Sequence, residues 1–346
     1  MEIIKPKKFI DLADVIFSEV TDEKDFNQKN LSDNLLILNS SIVNDQKFIW
    51  YIAKSISLKE NDIIFCQTEV VTELFKLLKN EDSFKNITLI THQSDITITS
   101  SLFYKKPTCI NRWFSTNVKH QDMNLIPIPI GVNNDYMIGY PNEKDFKNQS
   151  FKSFEEKVTK GYLNFNTNTR FLQRFHLKQL FTNKINYVVD ENNLSKEKYL
   201  EKINTYKFII CPWGNGVDTH RLWETLYSNS IPVIKYHYTF SKYSDLPIVY
   251  LKNFKELKID ELKPNNLNIN LDNTSADFNF WKRNISDKNI TLSLNTEKKI
   301  VIKVNKNKFM KVFIRRRKFK QQYKKLKYFT FRIYKVIFLL LSSKKS

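Results

Sequence analysis

The chain has 346 residues, 41% of them hydrophobic, so it is long and apolar enough for two ordinary globular domains. Its formal net charge of +20 suits a nucleic-acid or membrane partner, but the charge is unevenly distributed. Residues 301–346 hold 16 Lys and Arg and no Asp or Glu, which leaves 40 basic against 36 acidic residues elsewhere. This near-neutral body argues against a nucleic-acid-binding protein.

Apolar runs in the first half of the chain alternate with a helical pattern. The runs predict strands at 34–43, 62–66, 86–91 and 124–130. Residues 68–79 have helical spacing, and strands that alternate with helices predict a parallel α/β sheet. We expect a first domain over residues 1–150, on one side of a cleft. The polar stretch 138–157 is predicted to be an irregular linker.

A second alternating series follows the polar stretch. It predicts strands at 161–166, 185–190, 207–212, 231–236 and 246–251. It also predicts helices at 169–181, 195–206, 217–229 and 278–285. We expect a second domain over residues 158–300. Two successive series predict an α/β protein of two doubly wound, Rossmann-like domains that face a cleft.

The glycines at 214 and 216 mark a candidate ligand-binding loop. The chain has only 5 Gly, and Gly214 and Gly216 flank Asn215 between a predicted strand and a predicted helix. In open parallel sheets, ligands bind beyond the carboxyl ends of the strands. Glycine lets the backbone approach a ligand closely, and the helix start offers N–H groups to phosphate.

The start of the following helix carries two basic residues. Asp218 or Thr219 is the predicted N-cap, and His220 and Arg221 come next, in the first turn. The helix dipole disfavours a cation there by about 0.3–1 kcal/mol. An anion bound at the helix start would make a cation favourable there. The arginine guanidinium is also suited to bidentate binding of phosphate.

Polar residues share one face of this predicted helix. Arg221, Glu224, Thr225 and Ser228 recur at the spacing of one helical stripe. Glu224 is one turn from Arg221, where a carboxylate can accept hydrogen bonds from ribose hydroxyls. The alternative is a solvated face with Arg221 and Glu224 as an exposed ion pair. The residue pattern alone leaves both interpretations open.

Residues 207–235 resemble the donor-binding signature of exostosin-like glycosyltransferases. The matching positions are Pro212, Gly214, Arg221, Glu224, Leu226, Ile231, Pro232 and Val233. Asn229 and Ser230 depart from the Gly or Cys of other members. Segments 91–95 and 127–131 resemble parts of acceptor domains of the family, and segment 164–170 resembles the opening of its donor domain. The resemblance therefore implies that residues 1–150 form the acceptor-side domain and residues 158–300 the donor-binding domain. The resemblance implies a GT-B fold and inverting, metal-independent transfer from a nucleoside-diphosphate sugar, most readily UDP-linked.

An inverting transfer needs a base that deprotonates the attacking hydroxyl. His92 and Asp95 follow the predicted strand 86–91 at its carboxyl end. Asp95 would act directly or would orient His92. In the alternative interpretation, Asp95 caps the next helix and His92 packs in the core. Arg170, at the start of a predicted helix, is a second candidate ligand for the donor phosphate.

The sequence predicts neither a metal ion nor a cofactor, the nucleotide-sugar being a substrate. It contains no D-x-D triplet, no H-E-x-x-H motif and no Cys/His cluster. Cys66, Cys109 and Cys211 form no C-x-x-C pair, which favours a reducing compartment. The N-terminus lacks the pattern of a signal peptide, so a cytoplasmic protein is expected.

The basic segment 301–346 alternates cations with apolar residues at roughly helical spacing. This pattern is typical of a helix that lies on an anionic membrane, with a glycan or lipid-linked acceptor close by. The alternatives are a basic helix packed on the body or a disordered arm. For the whole chain, two other functions remain open: a fucosyltransferase-like GT-B enzyme that uses a GDP sugar, and a non-enzymatic nucleic-acid-binding protein.

Overall fold

A computed structural model describes residues 1–28, 34–79, 81, 85–190, 194–262, 270–287 and 329. In these residues the strands form two sheets. The first has the order β2-β3-β1-β4-β5-β6-β7, with strands β1 Val15–Asp22, β2 Leu35–Val43, β3 Gln46–Ala53, β4 Ile63–Gln67, β5 Ile87–His92, β6 Ile110–Ser115 and β7 Leu125–Pro127. The second has the order β12-β11-β10-β8-β9, with strands β8 Val158–Leu163, β9 Tyr187–Val189, β10 Tyr206–Ile210, β11 Ile231–Lys235 and β12 Val249–Leu251.

The α-helices of the described residues occur between and after these strands. They are α1 Pro6–Ile10, α2 Glu23–Gln28, α3 Val71–Leu78, α4 Ser100–Phe103, α5 Glu143–Asn148, α6 Phe171–Phe181, α7 Lys196–Thr205, α8 His220–Tyr227 and α9 Phe278–Ser286. The chain is thus a mixed α/β protein with two parallel-rich sheets, an architecture compatible with Rossmann-like domains.

The parallel part of the first sheet lies at its centre and at one edge. Every residue of β4 and β5 is buried, as expected for parallel strands whose two faces are both covered. The expectation of an all-parallel sheet is wrong at the other edge, where β3 is antiparallel to both β1 and β2. Asn44 and Asp45 join β2 to β3, and both have a positive φ, as in the two-residue turns that close hairpins.

Two local predictions also need correction. The strand expected at 124–130 ends at Pro127, because Pro127 and Pro129 have no N–H to donate to a neighbouring strand. The stretch 138–157, expected to be irregular, contains α5. There the side chain of Asn142 accepts from the N–H of Lys144, and Asp145 accepts from the N–H of Asn142.

The two sheets share a hydrophobic core. One cluster of buried side chains contains Phe65 and Ile90 from the first sheet together with Trp223 and Leu226 from α8. The chain then returns to the first sheet through α9, where Arg112 donates hydrogen bonds to the last carbonyls of that helix. The carboxyl ends of β5, β6 and β10 therefore lead into loops that meet between the sheets.

Lys157 is a buried cation that ties two helix ends together. Its Nζ donates hydrogen bonds to the carbonyls of Ile203 and Ser228 and to the hydroxyl of Ser230, at 2.6–2.9 Å. Burial, helped by the charge of Lys152, lowers the pKa of Lys157 to about 7. The carbonyls lie at the ends of α7 and α8, whose last C=O groups need donors.

We expect Lys157→Met to lower the free energy of unfolding by about 2–4 kcal/mol, because two buried carbonyls lose their hydrogen-bond donor. The unfolded chain binds more protons than the folded chain between pH 7 and the ordinary lysine pKa. The wild type should therefore gain stability over the variant as the pH rises through that window. Denaturant unfolding at pH 7 and pH 9.5 measures both effects. The exposed Lys252→Met is the control and should change stability by less than about 0.5 kcal/mol; an equal loss in both variants would contradict the assigned role.

The membrane-binding prediction falls on residues 301–346, which lie outside the described residues except for Phe329. Phe329 is exposed. Among the described residues, no helix combines the length and apolar character needed to cross a bilayer. Attachment of the tail to an anionic surface stays a prediction.

Candidate functional site

Residues 212–216, here called the glycine loop, connect β10 to the segment before α8. Two arginines of neighbouring turns hold its carbonyl groups. Arg174 donates to the carbonyls of Pro212 and Trp213 at 3.1 and 2.9 Å, and Arg170 donates to that of Gly214 at 2.7 Å. In a trans peptide the C=O and N–H point in opposite directions, and no described peptide bond is cis. The N–H groups of residues 213–215 therefore face away from both arginines, and successive N–H groups of this kind favour anion binding.

Arg174 is a site residue that the sequence analysis missed. It is only 8% exposed, and it also donates to the carbonyl of Asn166. Burial, together with the charges of Arg221 and Arg170, lowers its pKa to about 10. Three arginines thus lie close enough to repel one another. The signal in the sequence was the spacing of Arg170 and Arg174, one helical turn apart.

The first sheet contributes Asn117 to the same loop. Its Oδ1 accepts from the N–H groups of Val217 and Asp218 at 2.7 and 3.0 Å, and its Nδ2 donates to the carbonyl of Ser94. A Cβ on Gly216 would come within 3.0 Å of the Asn117 side chain, so glycine is needed for this close approach. Asn117 therefore joins the loop after β5 to the segment that leads into α8.

Asp218 and His220 face the first sheet. Thr219 is the N-cap of α8 but makes no side-chain cap hydrogen bond. The Asp218 carboxylate accepts from the N–H groups of Ile130 and Thr219 and from Nε1 of Trp223, and burial raises its pKa to about 7. His220 Nδ1 is 2.6 Å from the carbonyl of Gly131. Both side chains are committed to protein contacts, which favours a structural role over donor binding.

The polar face of α8 is buried. Glu224 is 5% exposed, and Thr225 and Ser228 are fully covered, so the interpretation of a solvated face is wrong. The hydroxyl of Tyr199 donates to Glu224 Oε2 at 2.7 Å, and burial raises the pKa of this carboxyl. Helical spacing correctly groups these residues on one face, but it does not reveal what covers that face.

Arg221 lies beside Glu224 as a cation with unused hydrogen-bonding capacity. Its Nε is buried and has no hydrogen-bond partner among the described residues. Its guanidinium lies 5.3 Å from the ring centre of Tyr199, and it forms no ion pair with a described carboxylate. Burial opposes the charge, but Tyr199 and Glu224 outweigh it and raise the pKa of Arg221 above its ordinary value. An anion in front of the glycine loop would supply the missing acceptor.

The two candidate bases have different surroundings. His92 is fully buried: its Nδ1 accepts from the N–H of Gln93, and its Nε2 lies 3.2 Å from the carbonyl of Pro129. Both ring nitrogens are in use, and burial lowers the pKa of His92 to about 4, so the geometry favours the packing interpretation. Asp95 is exposed and follows Ser94, which contacts Asn117. It does not cap α4, whose N-cap is Thr99.

Three of the ten non-glycine residues with positive φ in the described part of the chain lie around this site. Gln93, Asn117 and Arg170 have φ values of 58°, 56° and 43°, in the left-handed region that non-glycine residues rarely adopt. Each such residue costs roughly 1–3 kcal/mol. All three lie in or beside the loops that meet at residues 212–216.

The described residues contain no group of three His, Cys, Asp or Glu side chains arranged to hold a metal ion. No known family profile and no curated protein matches the chain. Among solved structures, the crystal structure of TarM matches with 11% sequence identity and a TM-score of 0.27, over 67% of this chain and 53% of TarM. The chain therefore spans about half the length of that TarM chain. A likeness this low carries no argument, and the resemblance to exostosin-like enzymes stays a hypothesis.

Proposed function

We propose that this chain is a glycosyltransferase that binds a nucleoside-diphosphate sugar, preferably UDP-linked, in front of the glycine loop. The observation that carries the proposal is the buried Nε of Arg221, which has no hydrogen-bond partner among the described residues. Beside it in the sequence, the N–H groups of residues 213–215 face away from the arginines that hold the loop. A diphosphate supplies the acceptors that both features lack.

Glu224 and Arg170 would complete the donor site. Glu224 uses Oε2 to accept from Tyr199, which leaves its second oxygen for a ribose hydroxyl. Arg170 donates to the glycine loop through Nε alone, so its terminal nitrogens remain for a phosphate oxygen. The nucleoside would then extend along α8, and the sugar would point towards the first sheet.

The transfer itself would be a single displacement. The acceptor hydroxyl attacks the anomeric carbon as its proton passes to Asp95, and the bond between that carbon and the diphosphate oxygen breaks. Negative charge then grows on the leaving diphosphate. Arg221, Arg170 and the loop N–H groups stabilise this charge, so a metal ion is not required. Attack from the face opposite the leaving group inverts the configuration.

Calorimetric titration of the full chain with UDP, GDP and CMP, in buffer that contains EDTA, tests this proposal. We expect saturable binding of UDP, stronger than that of GDP or CMP, and a matching rise in melting temperature. Preference for GDP would favour the fucosyltransferase-like alternative. Failure of all three nucleotides to bind, or binding that needs added manganese, would refute the proposed site.

A further inference from the structure

Trp213 in the glycine loop is surrounded by basic side chains. The Arg170 guanidinium lies 5.1 Å from its ring and the Lys235 ammonium 5.6 Å, and the His237 ring packs edge-on at 5.3 Å. The indole Nε1 donates to the carbonyl of Lys235, which fixes the ring. Two chain segments, one with Arg170 and one with Lys235 and His237, thus place basic groups around one half-buried aromatic side chain.

A third cation lies close to the cluster on the side of the first sheet. The hydroxyl of Thr239 donates to the carbonyl of Val118, which ties the segment after β11 to the residue before Lys119. Burial and the charges of Lys119 and Arg170 lower the pKa of His237. The exposed Lys119 is therefore within electrostatic range of His237.

The contacts of His237 allow two positions for its proton. The N–H of Thr239 donates to Nδ1 of His237 at 3.1 Å when Nδ1 carries a lone pair in the neutral ring. In that tautomer the proton lies on Nε2, where it can be donated to a ligand; the other tautomer would donate from Nδ1 to Thr239 Oγ1, 2.9 Å away. A neutral N–H donor next to cations is suited to an anion at any pH near neutrality.

The arginines and lysines of the site carry more positive charge than is needed to balance the negative charge of the donor. A nucleotide diphosphate linked to a sugar carries two negative charges, which Arg221 and Arg170 balance. Lys119 and Lys235 remain, and neither forms an ion pair with an acidic side chain in the part of the chain that the structure describes. Two unbalanced cations and the donor at His237 are left for a second anion.

We infer that Lys119, Lys235 and His237 form a second anion subsite, next to the donor diphosphate, which binds a phosphate group of the acceptor. The assignment to the acceptor rests on the proposed function, in which Arg221, Arg170 and the loop N–H groups are taken by the donor. Lys119 belongs to the first sheet, the side from which the acceptor approaches. A phosphate here holds a phosphorylated glycan or a lipid-linked phosphate with its hydroxyl near Asp95.

Calorimetry on the full chain, saturated with UDP and held at constant ionic strength, tests this subsite with inorganic phosphate as the probe. We expect saturable phosphate binding that Lys119→Gln and His237→Asn each weaken by about tenfold. Asn at 237 keeps an acceptor for the N–H of Thr239. UDP affinity should stay within twofold in both variants, and the exposed Lys105→Gln is the matched control.

Glucose 1-phosphate and dodecyl phosphate are titrated in the same way. Tighter binding of glucose 1-phosphate than of inorganic phosphate indicates a phosphorylated glycan, and tighter binding of dodecyl phosphate indicates a lipid-linked phosphate. The inference is overturned if phosphate displaces UDP, or if Lys119→Gln and Lys105→Gln bind phosphate equally well. Should UDP itself fail to bind, the proposed function fails. Phosphate titrations without nucleotide then still decide whether the subsite exists.

Discussion

Replacing Asp95 with Asn should lower the rate of sugar transfer by about 100–10,000-fold, the usual effect of removing a general base. The amide keeps the shape of the side chain but does not accept the proton of the attacking hydroxyl. UDP affinity should be unchanged, because Asp95 lies outside the donor-binding residues. The measurement is the rate at which the enzyme releases UDP from a UDP-sugar that it binds. The attacking hydroxyl is supplied by water or by a mixture of acceptors.

The position of Asp95 supports this expectation. It is exposed beyond the carboxyl end of β5, one residue after Ser94, and Asn117 connects Ser94 to the start of the α8 segment. His92 is a poor substitute, since both of its ring nitrogens contact the backbone and burial keeps it neutral. The exposed Asp45→Asn, in the β2–β3 turn, is the control and should leave the rate within twofold. If Asp95→Asn kept the wild-type rate, the base would have to be another group.

The central strands could be read from the sequence because they are continuous apolar runs. Three strands of the first sheet escaped prediction: β3, which is itself an apolar run, and β1 and β6, which carry polar residues whose partners are distant in the chain. β1 contains the buried Ser18 and Glu19, and β6 contains Arg112, whose guanidinium binds carbonyls of α9. The residues around Arg112 give no indication of a hydrogen-bond partner about 170 residues away in the chain. Arg174 was missed for the same reason. In the sequence it is an ordinary cation of a helix, and only the structure shows that it donates to the carbonyls of the glycine loop.

The departure from the family signature at Asn229 has a structural reason. Asn229 has a φ of 58° just after α8, a position where glycine is usual and asparagine is tolerated. Ser230 next to it is fully buried, and its hydroxyl donates to the carbonyl of Ile203. The sequence pattern of residues 207–235 therefore predicted the glycine loop, helix α8 and the position of Arg221 on that helix. It did not predict that the polar face of the helix would be buried, because spacing along a helix says nothing about the neighbouring elements.

Arg221→Met separates a ligand-binding arginine from a structural one. Met removes the cost of burying a cation, but it also leaves the buried Glu224 without its neighbouring positive charge. We therefore expect the melting temperature without nucleotide to fall in this single variant. UDP affinity should fall by about 10–100-fold, since charge-assisted hydrogen bonds contribute about 1.5–3 kcal/mol.

The two readouts together decide the role of Arg221. An arginine that merely supports Tyr199 and Glu224 would give a lower melting temperature and unchanged UDP affinity. Loss of the neighbouring positive charge favours protonation of Glu224, so a second variant, Arg221→Met with Glu224→Gln, removes the effect of that carboxylate on stability. If the double variant folds as well as the wild type and still binds UDP with wild-type affinity, the donor does not bind at α8. Loss of UDP binding in both variants, with wild-type stability in the double variant, would show that Arg221 is kept charged for its ligand.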